Sequence, residues 1–259
     1  MKWRSADGIP LGSLFGIRFY LDYSWFLIAA LVTWKLARSL FPAMLPGNTH
    51  GYYLAMALAA ALVFFVSILL HELGHSLVSQ RCGIPVPRIT LLFIGGIARL
   101  SREPDDPRSE LKIAAGGPAV SIVLALLYAG GAWLAGEWNA EAANAALQWL
   151  AAVNIVLVLF NALPGYPLDG GRILRAILWA RTGDLRKATR ISARIGICLG
   201  CGLVALGAIL VWRREWNAFT LMIIGIFLVK AARAGRDHVM QKAVISPVME
   251  GCAEGSGSS

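Results

Sequence analysis

The sequence has little charge for its length. Only 15% of its 259 residues are Asp, Glu, Lys or Arg, whereas 57% are hydrophobic, and the mean hydropathy is +0.63. A soluble domain of this size carries about a quarter charged residues. This shortage of charge excludes an ordinary soluble enzyme and predicts an integral membrane protein.

Cysteines are also few, and no cleavable signal peptide is expected at the N-terminus. The chain contains four cysteines, so no disulfide framework is predicted. Cys198 and Cys201 have C-x-x-C spacing, but they lie in an apolar, glycine-rich run that favours helix packing over redox or metal chemistry. Asp7 and Pro10 interrupt the stretch in which a signal peptide would need an apolar core.

Acidic residues are scarcer than basic ones, which gives a net charge of +9. The basic residues flank apolar runs instead of clustering with aromatic residues, so no nucleic-acid partner is expected. With a cytoplasmic N-terminus and six spans, 20 of the 24 Lys and Arg residues fall on the cytoplasmic side. This bias predicts a multi-pass protein of the cell membrane with both termini in the cytoplasm.

Long apolar runs predict an all-α membrane protein, a polytopic bundle of about six transmembrane helices. The expected spans are residues 22–41, 52–80, 113–136, 145–164, 195–212 and 216–229. Two shorter pieces predict a small membrane-associated β element: a strand over Leu14–Leu21, and a strand or hairpin over Ile89–Ala98 that turns at Gly95 and Gly96. The second piece must lie against protein, either to pair with an extended substrate or as a structural re-entrant loop.

The second span contains the motif His71-Glu72-Leu73-Gly74-His75. Residues four apart lie on one helix face, so His71 and His75 can offer ring nitrogens to one tetrahedral metal ion. Glu72 lies beside that face, where its carboxylate can take a proton from a water molecule that the metal activates. Ionisable groups at membrane depth are costly, which favours a functional site over two incidental histidines.

Three polar residues follow in and after the fourth span. Asn154 and Asn161 are seven residues apart, so both amides project from one helix face and require a partner in another helix, in loop backbone or in a ligand. Asp169 lies in a stretch that Gly165, Pro167, Gly170 and Gly171 are expected to break. Its carboxylate either completes a metal site or belongs to a turn.

These residues resemble the site-2 protease family of intramembrane zinc metalloproteases. The resemblance rests on the His71–His75 motif and on the N-x-x-P-x-x-x-L-D-G-G pattern over Asn161–Gly171, with weaker agreement at Gly95-Gly96 and Gly116-Gly117-Pro118. It implies that His71, His75 and Asp169 bind Zn²⁺, that Glu72 is the general base, and that Asn161 lies near the scissile carbonyl. Ser121 departs from the family, which often has Asn shortly after Gly-Pro.

The resemblance implies a protease domain over residues 1–240 that cleaves single-span membrane proteins within the lipid bilayer, with anti-sigma factors or membrane-anchored transcription regulators as substrates. Gly95, Gly96 and Asn154 are the candidate substrate-binding residues. Residues 241–254 resemble the start of a CBS regulatory region that is truncated here. A nucleotide is expected as a partner only through that missing region. Residues 255–259 are expected to be a cloning remnant.

Two alternatives remain open. A membrane metalloprotease that acts on soluble or interfacial segments would take its third ligand from a later Glu or His, and no His lies between His75 and His238. A zinc transporter or metal-dependent scaffold would favour further ligands along a pore, whereas His50 and His238 are expected near surfaces.

Overall fold

The computed structural model describes residues 8–92, 95–99, 101–215 and 218–254. Helices dominate and four short strands form one sheet. The elements are β1 Ile9–Leu14, β2 Ile17–Leu21, α1 Ser24–Lys35, a π-helical segment Leu36–Leu40, α2 Phe41–Met44, α3 His50–Arg81, β3 Arg88–Leu92, β4 Gly95–Arg99, α4 Pro107–Glu137, α5 Glu141–Asn161, α6 Asp169–Thr182, α7 Leu185–Trp212 and α8 Phe219–Glu254.

Five helical segments of the described chain are long and apolar enough to cross a membrane, which fits a multi-pass membrane protein. They are Ser24–Met44, α3, α4, α5 and α7. The sixth expected span, residues 216–229, overlaps the start of α8, which is not among the five. Residues 241–254, the expected start of a regulatory region, continue α8 as helix, and residues 255–259 lie outside the described chain.

The chain divides into two compact units. The first contains Met1–Asp105 and Ala115–Leu159, and the second contains Asp106–Ala114 and Phe160–Ser259. Helix α4 begins in the second unit and continues in the first.

The sheet of the first unit has strand order β1-β2-β3-β4. β2 and β3 are parallel, and the outer pairs are antiparallel. Alternate residues of β2 and β3 are buried because they pack on α3: Ile17, Phe19 and Ile89 cluster with Leu73. This contact places the sheet against the helix that carries the His71–His75 motif.

Both expected strand pieces need correction. The structure divides Leu14–Leu21 into the end of β1 and the whole of β2, because Phe15 and Gly16 have positive φ angles of 53° and 77° and form a turn. The turn expected at Gly95 and Gly96 is wrong. Both glycines lie in β4, where they pair with Leu92 and Leu91.

Helices α3 and α4 approach each other at backbone distance within the first unit. A Cβ atom on Gly74 would lie 2.5 Å from the carbonyl oxygen of Gly116, and one on Gly116 would lie 2.7 Å from that of Gly74. No other residue fits at either position without separating the helices. Gly74, the fourth residue of the motif, therefore brings the histidines against α4.

In the second unit, α7 packs along α8 through glycines. A Cβ atom on Gly200 would lie 2.8 Å from the carbonyl oxygen of Gly225, and one on Gly225 would lie 2.5 Å from that of Gly200. Cys198 and Cys201, in the same stretch, are free and exposed. The C-x-x-C spacing thus lies in a packed helix, and the glycines make the close contacts.

Two stretches rich in polar residues contain buried charges. Arg175 of α6 is 3% exposed, and Glu110 of α4 is fully buried. The two side chains form an ion pair within the second unit. Each charge has its partner 65 residues away in sequence.

Candidate metal centre

The two histidines of α3 turn the same ring nitrogen towards each other. His71 and His75 are 4% and 6% exposed, and their Nε2 atoms are 3.2 Å apart. Two nitrogens bound to one tetrahedral zinc ion lie about 3.3 Å apart. The spacing within the described helix therefore fits two ligands of a single metal ion.

Gly117 of α4 leaves room beside these nitrogens. A Cβ atom there would overlap Nε2 of His75 and lie 2.6 Å from Nε2 of His71. Any side chain would occupy the space where a shared metal ion must lie. The residues present thus fit a metal ion in donor type, in spacing and in free volume.

The remaining ring nitrogens are held by α4. Nδ1 of His71 lies 2.9 Å from the hydroxyl oxygen of Ser121, which is fully buried. The backbone N–H of Gly117 donates to Nδ1 of His75 over 3.3 Å. Such contacts hold the orientation of the two rings. Where the resembled family often has an amide, this chain has a hydroxyl in contact with the ring.

Glu72 lies beside the sheet. Its side chain is partly buried, and a Cβ atom on Gly96 would overlap Cγ of Glu72 and lie 3.3 Å from Oε1. β4 is an edge strand of the described sheet. Its glycine therefore allows the sheet edge to approach the carboxylate of the motif.

Asp169 is the first residue of α6 and is 8% exposed. A helix N-terminus favours a negative charge. Gly170 and Gly171 do not break the backbone, as the sequence suggested, but lie in the first turn of α6. They permit close packing: added Cβ atoms would overlap the carbonyl oxygen of Ala162 and the backbone of Gly165.

The two asparagines of α5 have different surroundings. Asn154 is fully buried, and its Nδ2 donates to the carbonyl oxygen of Leu150 in its own helix over 2.9 Å. Its Oδ1 has no hydrogen-bond partner among the described residues. Asn161 is the last residue of α5 and is partly buried.

Each of the three expected metal ligands is buried: His71 and His75 in the first unit, and Asp169 in the second. Sequence reasoning had named these three. It missed the roles of Gly117 and Ser121 around the rings. The Gly116-Gly117-Pro118 motif was the available signal for Gly117, since adjacent glycines inside a span indicate close approach.

Comparison with known proteins gives matches over most of the chain. The model of peptidase family M50 matches residues 59–137 and 131–203, which together are more than half of the sequence. A putative zinc metalloprotease of Synechocystis is 39% identical over 239 residues, which are 91% of this chain and 62% of that protein. A putative zinc metalloprotease of Mycobacterium tuberculosis is 37% identical over 93% of this chain and 62% of its own length.

Among solved structures, the site-2 protease from Methanocaldococcus jannaschii has a TM-score of 0.57 and 27% identity. The match covers 87% of this chain and 94% of the solved one. The present chain spans about 62% of the length of the two curated relatives.

Proposed function

We propose, from the premise that the chain belongs to peptidase family M50, that it is the catalytic part of an intramembrane zinc metalloprotease. The reaction is hydrolysis of peptide bonds in transmembrane segments of membrane-anchored proteins. The observation that carries this proposal is the buried His71–His75 pair, whose Nε2 atoms are 3.2 Å apart beside the space that Gly117 leaves free.

In this proposal the zinc ligands are His71, His75 and Asp169. Imidazole and carboxylate ligands suit Zn²⁺, and three protein ligands leave one coordination position for chemistry. Zinc in such a site lowers the pKa of a bound water and polarises a substrate carbonyl. Ser121 and the Gly117 N–H hold the rings so that both Nε2 atoms keep their direction.

Glu72 is the proposed general base, and the partial burial of this residue supports this role. It accepts a proton from the attacking water and passes it to the leaving amine. We assign Asn161 to the developing oxyanion, because a side-chain amide near the scissile carbonyl can donate to it. Asn161 ends α5, just before the loop that leads to Asp169.

The substrate is proposed to bind as an added strand along β4, where Gly95 and Gly96 leave the edge open beside Glu72. Peptide bonds in a helix are hidden by its own hydrogen bonds, so a transmembrane substrate must unwind locally first. The unpartnered Oδ1 of buried Asn154 supplies an acceptor for a backbone N–H of such an unwound segment. The substrate class is single-span membrane proteins, including anti-sigma factors and membrane-anchored transcription regulators.

The alternative activity, zinc transport, requires a series of ligands along a path. Of the remaining histidines, His50 begins α3 and is exposed. The buried His71–His75 pair, with its Nε2 atoms 3.2 Å apart, suits catalysis at a single point better than conduction.

Glu72→Gln provides the test. The purified variant should keep the zinc content of the wild type, measured by mass spectrometry, because glutamine replaces a base and not a ligand. It should lose cleavage of single-span substrates reconstituted in detergent or liposomes, by at least about a hundredfold for a general base. Wild-type turnover in this variant, or cleavage that survives removal of zinc by a chelator, contradicts the proposal.

A further inference from the structure

Tyr166 fixes the loop between α5 and α6 to α7. The backbone N–H of Tyr166 donates to the carbonyl oxygen of Ser192 over 3.2 Å. On the next turn of α7, a Cβ atom on Gly196 would overlap the carbonyl oxygen of Tyr166. Both backbone polar groups of this residue thus lie against α7, and all of these residues belong to the second unit.

The ring of Tyr166 lies against α8. A Cβ atom on Gly235 would overlap Cε1 of the ring and lie 2.9 Å from its hydroxyl oxygen. The ring therefore packs directly on the backbone of α8, at a position where only glycine fits. No hydrogen bond to the hydroxyl is found among the described residues, so the contact depends on the shape of the ring.

A buried ion pair lies near the ring. Cζ of Arg175 is 5.3 Å from the Tyr166 ring centroid, and Nε of Arg175 donates to Oε1 of Glu110 over 2.6 Å. The side chains of Arg175 and Glu110 are 4% and 0% exposed. Breaking such a pair leaves an uncompensated buried charge, which strongly resists displacement of the guanidinium. Tyr166 is therefore held between a fixed cation on α6 and the backbone of α8.

Tyr166 is close to Asp169 in the chain. Asp169 follows it by three residues and is the first residue of α6, the helix that carries Arg175. The start of α6 has no free space on the loop side, because Gly170 and Gly171 pack on the backbone of Ala162 and Gly165. A Cβ atom on Gly171 would also overlap the backbone nitrogen of Tyr166, so we expect a shift of Tyr166 to move the first turn of α6.

We propose that Tyr166 is a positioning residue for Asp169, and that the contact between its ring and Gly235 makes zinc affinity depend on the position of α8. The inference rests on the proposed function, since it takes Asp169 as a zinc ligand. A displacement of α8 acts on the ring, then on the loop, and then on the carboxylate at the start of α6. Anything that moves α8 thereby regulates the metal site.

The test is Gly235→Ala in the full chain, with zinc affinity measured by competition with a chromogenic chelator. The added methyl displaces the ring, and zinc affinity should fall about tenfold to a hundredfold, as for loss of an outer contact to a metal ligand. Gly202→Ala on α7 is the matched control, because a Cβ atom there meets nothing within 4 Å. Its zinc affinity should equal that of the wild type.

A second pair of variants keeps the proposal testable even if Gly235→Ala does not fold. Tyr166→Phe preserves the ring and should retain wild-type zinc affinity, whereas Tyr166→Leu should weaken it. In the Tyr166→Leu background, Gly235→Ala should cause little further loss, because the ring that it displaces is absent.

The outcomes separate this inference from the proposed function. If Gly235→Ala and Tyr166→Leu lower the melting temperature but leave zinc affinity unchanged, the residues are merely structural and the inference is wrong. If Asp169→Asn retains wild-type zinc affinity, the ligand assignment in the proposed function fails. If Asp169→Asn loses zinc but Tyr166→Phe and Tyr166→Leu both keep wild-type zinc affinity, the inference is wrong and the proposed function stands.

Discussion

At the scale of single residues, the proposed metal centre depends on the side chains that glycines lack as much as on the candidate ligands. Gly74 lets α3 approach α4, Gly96 lets β4 approach Glu72, and Gly117 leaves space between two imidazoles. Each is a contact between backbone and a distant group. A single sequence identifies His71 and His75 from their spacing, but it cannot show which glycine faces which ring.

Gly117→Ala should abolish zinc binding without unfolding α4. The methyl group would overlap Nε2 of His75, whereas alanine favours helix over glycine by about 1 kcal/mol. The measurement is zinc content after dialysis, together with helicity by circular dichroism. Gly130→Ala is the control on the same helix, because a Cβ atom there meets nothing within 4 Å.

Wild-type zinc affinity in Gly117→Ala would show that the metal does not lie beside both Nε2 atoms. Equal loss of zinc in Gly130→Ala would instead assign the effect to α4 as a whole.

At the scale of elements, five of the six apolar runs correspond to helical segments of the described chain that can cross a membrane, because burial in lipid requires length and hydrophobicity alone. The apolar runs did not predict the residues at which the helices begin and end. Helix α4 begins at Pro107, several residues before its apolar run, because Asp106 caps it: Oδ1 of Asp106 accepts from the backbone N–H groups of Arg108 and Ser109, each over 2.9 Å. The turn between β3 and β4 was misplaced because a glycine pair indicates a turn and a close approach equally well.

The cap of α4 should make stability depend on pH in acid. Hydrogen bonds from the Ser109 side chain and backbone lower the pKa of Asp106 below its ordinary value. The folded state thus favours the ionised carboxylate, and its contribution is present above the unfolded pKa and lost as pH falls through the folded value. The thermal midpoint of the detergent-solubilised protein should therefore begin to fall as the pH drops below about 4, the ordinary pKa of Asp.

Asp106→Asn is the matched variant, since asparagine keeps the capping oxygen but does not titrate in this range. The difference in midpoint between wild type and Asp106→Asn should shrink as pH falls. A difference that stays constant down to pH 3 would assign the acid sensitivity to other carboxylates, such as Asp22, whose pKa is lowered chiefly by its hydrogen bond from the Ser24 side chain.

At the scale of the whole molecule, composition was sufficient for the class of protein. A chain with 57% hydrophobic residues and five helical segments able to cross a membrane belongs in a bilayer. The buried pair of Glu110 and Arg175 was beyond sequence reasoning, because each charge lies in a polar stretch and nothing local identifies a partner 65 residues away. Long-range pairing of charges is a property of the fold.

The distribution of basic residues predicts that the loop after α4 faces outward and the loop after α6 faces the cytoplasm. In a background without native cysteines, Asn139→Cys should react with a membrane-impermeant maleimide in intact cells. Gly183→Cys should react only after the membrane is opened. The reverse pattern would place both termini outside.

The edge position of β4 beside Glu72 has a consequence for selectivity. A strand added at such an edge is held by main-chain hydrogen bonds, which every sequence can supply. Discrimination must then come from the ease with which a guest helix uncoils within the bilayer. If the proposed function holds, substrates should differ from other membrane anchors by glycine, proline or asparagine near the cleavage point. Replacing those residues by leucine should then protect a substrate without altering any contact on the present chain.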